Sequence, residues 1–517
     1  MRDRRLFWLV AALLFAGGFA LRVWGIAAEP LWLDEAYSAY AASRGFAFLW
    51  QVVPRYETHP PFYYALLRLW TLAFGDGLIA LRSLGLACGI ATLAVTAWAA
   101  GELGQLCGWD ADRRRRLALA AFGLACLSPS LVEMARQVRP YPVMILAYAA
   151  AIACLLRVAR GARAGRPLGG RWFAAYCLPL AALLWLHNLG PFYAAALVLA
   201  LGCVLWGTRL TARDTLWLVA GHALVALAWS PALAILAGQA PTWIGSTWLR
   251  FSADRLFLAR LASLYALPGW PIFVAIALAG IGIARLWRAP GGRGAGAMLL
   301  LLALLPVLLA VATSLLVAPV FLTRTLRPVA VPAILLIAAG VAGGDRRRWW
   351  TAAMAVLLGA ALAWAGVEAR RGPPMQDWVR TVAWLRRHAA PTDIILAYPN
   401  EGALPLAFAL RDARLALSVR PVPAPVPSLD VVQGDYPNGT RGVPRLAPVR
   451  LRAIAADPAL ARVRTLWLLR LAGWTYDPGD VFLTALRRGR VVVRTWRSGP
   501  IEIVGLRSRP APVRNRR

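Results

Sequence analysis

The sequence predicts an all-α polytopic membrane domain followed by a small α/β domain. Hydrophobic residues make up 60% of the 517-residue chain, and its mean hydropathy is +0.58, whereas an ordinary soluble domain is about 45–50% apolar. Apolar runs long enough to cross a bilayer recur from the N-terminus to residue 366. After Val367 these runs shorten to strand length and alternate with amphipathic stretches. The three observations divide the chain into residues 1–366 and 367–517.

The membrane domain is predicted to contain about eleven helices, because a bilayer core about 30 Å thick takes about 20 helical residues. This rule places spans at 6–26, 77–100, 117–132, 141–157, 172–187, 189–206, 215–237, 266–286, 297–318, 326–343 and 349–366. The segment from Trp172 to Trp206 contains no charged residue, yet it is too long for one crossing. It is therefore predicted as a hairpin that turns at His187–Pro191.

Much of the net charge of +33 lies at the N-terminus and in loops between these spans. Arginine clusters fall on alternate loops, at the N-terminus, Arg113–Arg116, Arg157–Arg171, Arg209–Arg213, Arg285–Arg293 and Arg346–Arg348. By the positive-inside rule this side of the membrane is cytoplasmic. We therefore expect a multi-pass protein of the cell (inner or plasma) membrane, with a cytoplasmic N-terminus, an extracytoplasmic C-terminal domain and no nucleic-acid partner.

The C-terminal residues are predicted to form a small extracytoplasmic α/β domain. Short apolar runs predict strands at Asp393–Tyr398, Thr465–Leu471, Val491–Trp496 and Ile501–Leu506. Amphipathic stretches predict helices at Gln376–His388, Leu451–Val463 and Phe482–Arg490. The proline-rich segment Arg420–Pro427 is predicted to be an extended connecting loop.

Ionisable residues concentrate in the first external loop, residues 27–76. Asp34, Glu35 and His59 lie there between two apolar spans, where an ionisable group is costly and indicates a site by default. Two structural interpretations compete with that hypothesis. The two acids can cap a juxtamembrane helix, because carboxylates suit the N-terminal end of the helix dipole. His59-Pro60-Pro61 can begin a helix that anchors the chain at the interface.

Four motifs of the membrane domain resemble those of a known enzyme family. They are FALRVWGIAAEPLWLDEAYSAYAAS at Phe19–Ser43, THPPFYYALLRLW at Thr58–Trp70, ALRSL at Ala80–Leu84 and EMARQVRPY at Glu133–Tyr141. In order and spacing they resemble the GT-C membrane glycosyltransferases, specifically the protein O-mannosyltransferase and aminoarabinose-transferase group (glycosyltransferase family 39-like). The resemblance implies a GT-C-like helical domain, juxtamembrane helices in the first external loop and a soluble external domain.

The resemblance also implies an activity in which Asp34 corresponds to the catalytic aspartate of the first loop. The donor would be a sugar on a polyprenyl phosphate, which is a good leaving group. A carboxylate within hydrogen-bond reach can take the proton of an acceptor hydroxyl as it attacks, and a single displacement inverts the anomeric centre. We expect a hexosyl- or pentosyltransferase of the cell envelope. Glu35 is the second catalytic candidate, although adjacent helical residues point about 100° apart.

Polar groups are expected beside the leaving phosphate, because its negative charge grows in the transition state. The outer-face candidates for donor-phosphate or substrate contacts are His59, Glu133, Arg136, Arg139, Tyr141, Arg324 and Arg327. The arginines can instead be side chains that snorkel to the interface. Glu133 can instead be a helix-end acid paired with Arg136 or Arg139.

Two histidines of the outer face have further alternatives. The aminoarabinose transferases carry Lys-Pro-Pro where this chain has His59-Pro60-Pro61, and that lysine contacts the donor phosphate. Histidine is not a permanent cation, so the donor side is expected to differ. His187 lies in the predicted turn with Asn188, where an ordinary hydrogen-bonded turn pair is favoured over a sugar contact.

No cofactor is expected, since the lipid-linked sugar is a substrate. The acidic and histidine residues show no spacing with the strength of a metal motif, and the resembled group does not generally need a metal. The expected partners are the lipid bilayer, a polyprenyl-phosphate sugar donor, and a glycan, glycolipid or protein that supplies an acceptor hydroxyl or phosphate.

Two other functions stay open on the sequence. A lipid or sugar transporter or flippase would also be polytopic and basic inside. It is expected to place ionisable or helix-breaking residues near mid-span, where this chain is almost purely apolar. A membrane anchor for a binding module at residues 367–517 would leave the motifs of the first loop unexplained.

Overall fold

The computed structural model describes residues 2–57, 59–246, 250–343, 348–428 and 446–509. The chain divides into two compact units. The membrane unit comprises residues 1–26, 59–66 and 79–372. The α/β unit comprises residues 27–58, 67–78 and 373–517.

The described helices and strands follow in chain order. They are α1 (Arg2–Val23), α2 (Leu33–Ser43), α3 (Phe62–Phe74), α4 (Leu78–Leu106), α5 (Ala111–Leu127), α6 (Pro129–Met134), α7 (Tyr141–Arg163), α8 (Arg171–Leu186), α9 (Gly190–Leu205), α10 (Ala212–Ser246), α11 (Arg255–Tyr265), α12 (Trp270–Arg288), α13 (Gly292–Leu316), α14 (Thr323–Leu326), α15 (Ala330–Val341), α16 (Arg348–Arg371), α17 (Trp378–His388), β1 (Ile394–Tyr398), α18 (Ala403–Asp412), β2 (Ser418–Pro421), α19 (Pro448–Ala455), α20 (Pro458–Ala461), β3 (Thr465–Leu471), α21 (Gly473–Tyr476), α22 (Val481–Arg487), β4 (Arg490–Ser498) and β5 (Ile501–Ser508).

Each apolar segment predicted to span the membrane contains a helix in the structure. Among the described residues, eight helical segments are long and apolar enough to cross a bilayer. They are α1, α4, α7, α10, α12, α13, the segment Thr323–Val341 and α16. α8 and α9 are apolar but only 16 residues long each, and they meet at the predicted turn after Leu186. The chain is a multi-pass membrane protein, and the larger number of spans stays a prediction.

The segment predicted as one span at 117–132 is interrupted in the structure. α5 ends at Leu127, and α6 begins at Pro129. Proline has no backbone N–H, so residue 129 cannot donate to the Ala125 carbonyl as a continuing helix would require. The fully buried Arg22 of α1 supplies donors instead, with Nη2 3.1 Å from the Ala125 carbonyl and Nη1 2.9 Å from that of Cys126. Its guanidinium therefore caps α5.

Replacing Arg22 with methionine is expected to destabilise the membrane unit. Two carbonyl groups would stay buried without these donors, at about 1–3 kcal/mol each, although the loss of a buried charge offsets part of this cost. We expect a lower midpoint of thermal unfolding in detergent, followed by tryptophan fluorescence. Arg255→Met, at an exposed position, is the matched control and should unfold like the wild type. Equal midpoints for Arg22→Met and the wild type would contradict the capping role.

The α/β unit is built on a five-stranded sheet with the order β2-β1-β3-β5-β4. β1 runs parallel to β2 and β3, whereas β5 pairs antiparallel with β3 and β4. All seven residues of β3 are buried, because alternate side chains enter different apolar clusters. Trp467 packs in the cluster of Trp378, and Leu468 packs in that of Phe482. Both faces of the central sheet are thus covered.

The four predicted strands are present, but the structure corrects two details of this domain. β2 was not predicted, and it takes up the first two residues of the segment predicted as a proline-rich loop. β2 is an edge strand, where proline is tolerated. The helix predicted at Leu451–Val463 is divided into α19 and α20, because Asp457 caps a new helix that begins at Pro458 and its carboxylate accepts from the Ala459 amide at 2.9 Å.

The first external loop contributes residues 27–58 to the α/β unit. α2 packs against α18, and Leu33 packs on the apolar cluster that contains Trp378. The Tyr40 hydroxyl donates to the Val426 carbonyl at 2.6 Å. The predicted boundary at 366/367 lies close to the junction of the units at Gly372. The sequence did not predict that the first loop packs with the C-terminal residues.

Candidate functional site

Asp34 and Glu35 lie in the first turn of α2, in the α/β unit. They are 6% and 1% exposed. Carboxylates at this position are stabilised by the N-terminal end of the helix dipole. The Ser38 hydroxyl donates to the Asp34 carbonyl at 3.0 Å and reinforces the first turn. Two carboxylates are thus buried side by side on a short helix, pointing about 100° apart around its axis.

An aromatic contact joins α2 to a later part of the same loop. The Tyr37 hydroxyl donates to the Tyr56 hydroxyl at 2.8 Å, and the two rings meet edge to face at 6.4 Å. Both tyrosines are fully buried. The contact closes the loop on itself and joins α2 to the residues that follow Val53.

The histidines form a pair in the membrane unit. His59 precedes α3, and His187 lies between α8 and α9. Their Nε2 atoms are 3.2 Å apart, and the rings meet edge to face at 4.7 Å. The predicted turn pair of His187 and Asn188 is therefore more than a local turn, because His187 contacts a candidate site residue of the first-loop motif.

The hydrogen bonds of His187 define the protonation of both rings. Its Nδ1 accepts the Leu189 backbone N–H at 3.0 Å, so a neutral His187 carries its proton on Nε2. That Nε2–H donates to His59, whose Nε2 must be an acceptor. A neutral His59 then carries its own proton on Nδ1. The hydrogen bond between the two Nε2 atoms therefore requires that only one of them carries a proton.

Burial lowers the pKa of His187 well below the ordinary value, and the charges of Arg139 and Arg324 lower it further. Unfolded histidine takes up a proton as the pH falls through about 6.5, whereas folded His187 stays neutral to a lower pH. Its effect on stability is therefore absent above about pH 7 and becomes unfavourable as the pH falls from about 6.5 toward the folded pKa.

His187→Gln is expected to reduce the acid sensitivity of the membrane unit. Glutamine keeps a donor for His59 but does not titrate. We expect the thermal midpoint of the wild type to fall more than that of the variant between about pH 7.5 and about pH 5.5, because only the wild type takes up a proton at position 187 on unfolding. An identical pH dependence of the two midpoints would contradict this assignment.

Two of the predicted arginines lie around this pair. Arg139 is 1% exposed, and its guanidinium carbon is 5.8 Å from the centre of the Tyr141 ring. The Tyr141 ring is 6.2 Å from that of His187. The charge of Arg324 also acts on His187. We call His59, Arg139, Tyr141, His187 and Arg324 the histidine cluster; it combines two fixed cations with two imidazoles and a phenol.

Glu133 and Arg327 form an ion pair. Arg327 Nη2 is 3.3 Å from Glu133 Oε2. Arg327 Nη1 also donates to the Ser130 hydroxyl at 2.7 Å and to the Ser263 carbonyl at 2.5 Å. The structure pairs Glu133 with Arg327, whereas the helix-end interpretation named Arg136 or Arg139 as its partner. Arg327 joins α6, α11 and the segment before α15 at one place in the membrane unit.

Arg136 makes contacts of a structural kind. Its guanidinium donates to the carbonyls of Trp24 and Gly25, the latter at 2.9 Å. These residues follow the end of α1, where carbonyls lack helical partners. Arg136 therefore caps α1 as Arg22 caps α5. These contacts orient the guanidinium toward the protein backbone, and a contact with phosphate stays a prediction.

No group of three or more His, Cys, Asp or Glu side chains among the described residues is arranged to hold a metal ion. The expected independence from metals and cofactors stays a prediction.

The structure thus groups the predicted residues by unit. Asp34 and Glu35 lie in the α/β unit, whereas the remaining predicted site residues lie in the membrane unit. His187 is the residue that sequence reasoning did not assign to the site. The sequence contains only four histidines. The rarity of this residue type was the one signal that could have assigned His187 to the site. The pairing itself joins positions 128 residues apart.

Comparisons with known proteins give a likeness in fold. No protein-family model matches the chain, and no curated protein matches it in sequence. ArnT from Cupriavidus metallidurans in the apo state resembles it with a TM-score of 0.56 and 17% identity over 97% of both chains. ArnT bound to undecaprenyl phosphate gives 0.53 and 17% over 97% of both chains.

A structure from an archaeon also resembles the chain in fold. The oligosaccharyltransferase of Archaeoglobus fulgidus, in complex with Zn and sulfate, matches with a TM-score of 0.51 and 11% identity over 96% of this chain and 73% of that one. These proteins are membrane glycosyltransferases with the GT-C fold. The chain therefore has the GT-C fold, as its motifs predict.

Proposed function

We propose that the protein transfers a sugar from a polyprenyl phosphate to an acceptor hydroxyl or phosphate on the extracytoplasmic face of the membrane. The observation that carries the proposal is the match over 97% of both chains to ArnT, which was captured with undecaprenyl phosphate. The match includes the first loop and the C-terminal residues as well as the membrane helices. The motifs around Asp34, His59 and Arg139 support it independently.

Asp34 is the proposed general base. The acceptor oxygen attacks the anomeric carbon, its proton passes to the Asp34 carboxylate, and the bond from carbon to the donor phosphate oxygen breaks with its electron pair on the phosphate. A single displacement inverts the anomeric centre. Burial on a short, packed helix supports this role, because a base must be held within about 2.6–3.2 Å of the proton it takes. Glu35 is the secondary candidate.

The histidine cluster is the proposed donor-phosphate side. A phosphate that gains negative charge in the transition state is stabilised by fixed donors in a site that excludes water. Arg139 and Arg324 supply permanent charge, and arginine binds phosphate oxygens in a bidentate manner. Tyr141 supplies a hydroxyl close to the same place. Arg327 is held by Glu133 and is the less favoured phosphate ligand.

The histidine pair accounts for the departure from Lys-Pro-Pro. Lysine is a permanent cation, whereas a histidine whose Nε2 accepts from His187 is a neutral ring. The positive charge beside the donor would then come from Arg139 and Arg324 and not from the residue before Pro60. We therefore expect His59 to contact the donor as a neutral group.

A transporter or flippase is the alternative. It would need ionisable groups that change partners during transport. Two buried ionisable residues of the described spans have protein partners: Glu102 is 3.3 Å from Arg157 and 3.0 Å from Arg160, and Arg22 caps α5. These contacts support static roles, and the enzyme is the better supported proposal.

The decisive experiment uses the purified full-length protein in lipid nanodiscs. It is incubated with undecaprenyl phosphate that carries mannose, glucose or aminoarabinose, together with a total lipid and protein extract as acceptor source. Release of undecaprenyl phosphate with labelled acceptor is the expected result. The same donors are tested for movement across proteoliposomes. Movement of the intact donor without cleavage would contradict the proposed enzyme and support the flippase.

A further inference from the structure

The start of α2 is determined by a residue from a distant part of the chain. Trp32 occupies the N-cap position, and its side chain makes no capping hydrogen bond. The first amide groups of a helix have no partner within the helix. The Leu33 N–H, at the first helical position, donates to Gln376 Oε1 at 3.1 Å. The acceptor for the first amide of α2 thus comes from 343 positions away.

The Gln376 amide is itself held in one orientation. Trp378 Nε1 donates to the same Oε1 at 3.0 Å. Because both neighbours are N–H donors, the atom between them must be the amide oxygen. Trp378 is fully buried and begins α17, where Asp377 caps the helix by accepting the Arg380 amide at 3.0 Å. Gln376 therefore presents a fixed acceptor to α2.

Further contacts hold the rest of α2 to the same unit. The Leu33 side chain packs on the apolar cluster of Trp378, and α2 packs against α18. Tyr40, two turns along, donates to the Val426 carbonyl at 2.6 Å. α2 is therefore bound at its first residue and near its end, and Asp34 directly follows the residue capped by Gln376.

We infer that Gln376 is a positioning residue for Asp34, and that the C-terminal part of the chain serves to set the catalytic helix. The inference rests on the proposed function, since it assigns Asp34 its role as base. Loss of the Gln376 acceptor frees the first turn of α2, and a displacement of about 1 Å at a reacting group can cost on the order of 100-fold in rate.

The test compares Gln376→Leu with Gln376→Glu in the full-length protein in nanodiscs. Hydrogen exchange of the peptide covering Leu33–Tyr40 reports the first turn of α2 without any need for activity. We expect faster exchange in Gln376→Leu, and exchange like the wild type in Gln376→Glu, because a carboxylate still accepts both N–H groups. Gln51→Leu, at an exposed amide of the same loop, is the matched control. Unchanged exchange in Gln376→Leu would overturn the inference.

Sugar transfer from the undecaprenyl-phosphate panel provides the second readout. Gln376→Leu should lower kcat about tenfold or more with little change in KM for the donor, and Gln376→Glu should recover most of it. In an Asp34→Asn background, Gln376→Leu should add no further loss, because both act through one group. Additive losses would overturn the positioning role. Absence of transfer by the wild type would contradict the proposed function, and the exchange result would still decide whether Gln376 holds α2.

Discussion

Asp34→Asn is expected to lower kcat for sugar transfer by about 10²–10⁴-fold, which is the range for loss of a general base. Asparagine has nearly the same shape but cannot take a proton from the acceptor. The KM for the polyprenyl-phosphate donor should change little, because the substituted group acts on the acceptor in the transition state. The measurement is single-turnover release of undecaprenyl phosphate by the purified variant in nanodiscs.

Glu35→Gln is the matched control for Asp34→Asn. The two carboxylates are both buried in the first turn of α2, so the two amide substitutions disturb the fold in similar ways. They point about 100° apart, and we expect the smaller loss of kcat for Glu35→Gln. Equal rates for Asp34→Asn and the wild type would contradict the role of Asp34. A larger loss in Glu35→Gln would assign the base to Glu35.

Arg139→Gln is expected to lower kcat by about 10²–10³-fold, as removal of one fixed donor to a developing anion does in other enzymes. The effect should fall on the chemical step, because the phosphate carries more charge after the bond to the sugar breaks. Arg139→Lys should recover part of the rate, since it keeps the charge but not the bidentate contact. Steady-state transfer kinetics for the three proteins provide the measurement.

Control variants separate the role of Arg139 from a general effect of lost charge. Arg255→Gln removes an exposed arginine of the membrane unit and should transfer at the wild-type rate. Because Arg139 is buried, its variants are first compared with the wild type by size-exclusion chromatography and thermal unfolding. A well-folded Arg139→Gln protein with wild-type kcat would remove Arg139 from the donor-phosphate side.

Much of the fold follows from local patterns in the sequence. Apolar runs of membrane length predict where helices lie, since each span must satisfy its own backbone hydrogen bonds. The strands β1, β3 and β5 are predicted because their side chains enter a covered sheet and read as apolar runs. The edge strand β2 escapes prediction, because its exposed, proline-containing segment lacks that signal.

The details of the site depend on contacts between distant residues. His59 and His187 are separated by 128 positions, and each alone reads as a turn or anchor residue. The roles of the arginines also depend on contacts with distant residues. Arg22 and Arg136 cap helix ends through their tertiary contacts, whereas Arg139 lies beside aromatic rings. A sequence rich in arginine cannot separate these roles, because they differ in what the guanidinium touches.

The central claim is direct transfer of the sugar from the lipid phosphate to the acceptor. It is tested most directly by the anomeric configuration of the product, determined by proton NMR after reaction of the wild-type protein with a donor of defined configuration. We expect one undecaprenyl phosphate to be released for every sugar transferred, and we expect the anomeric centre of that sugar to be inverted. A product of retained configuration would contradict single displacement with Asp34 as the base, and intact donor after incubation with every acceptor fraction would contradict sugar transfer itself.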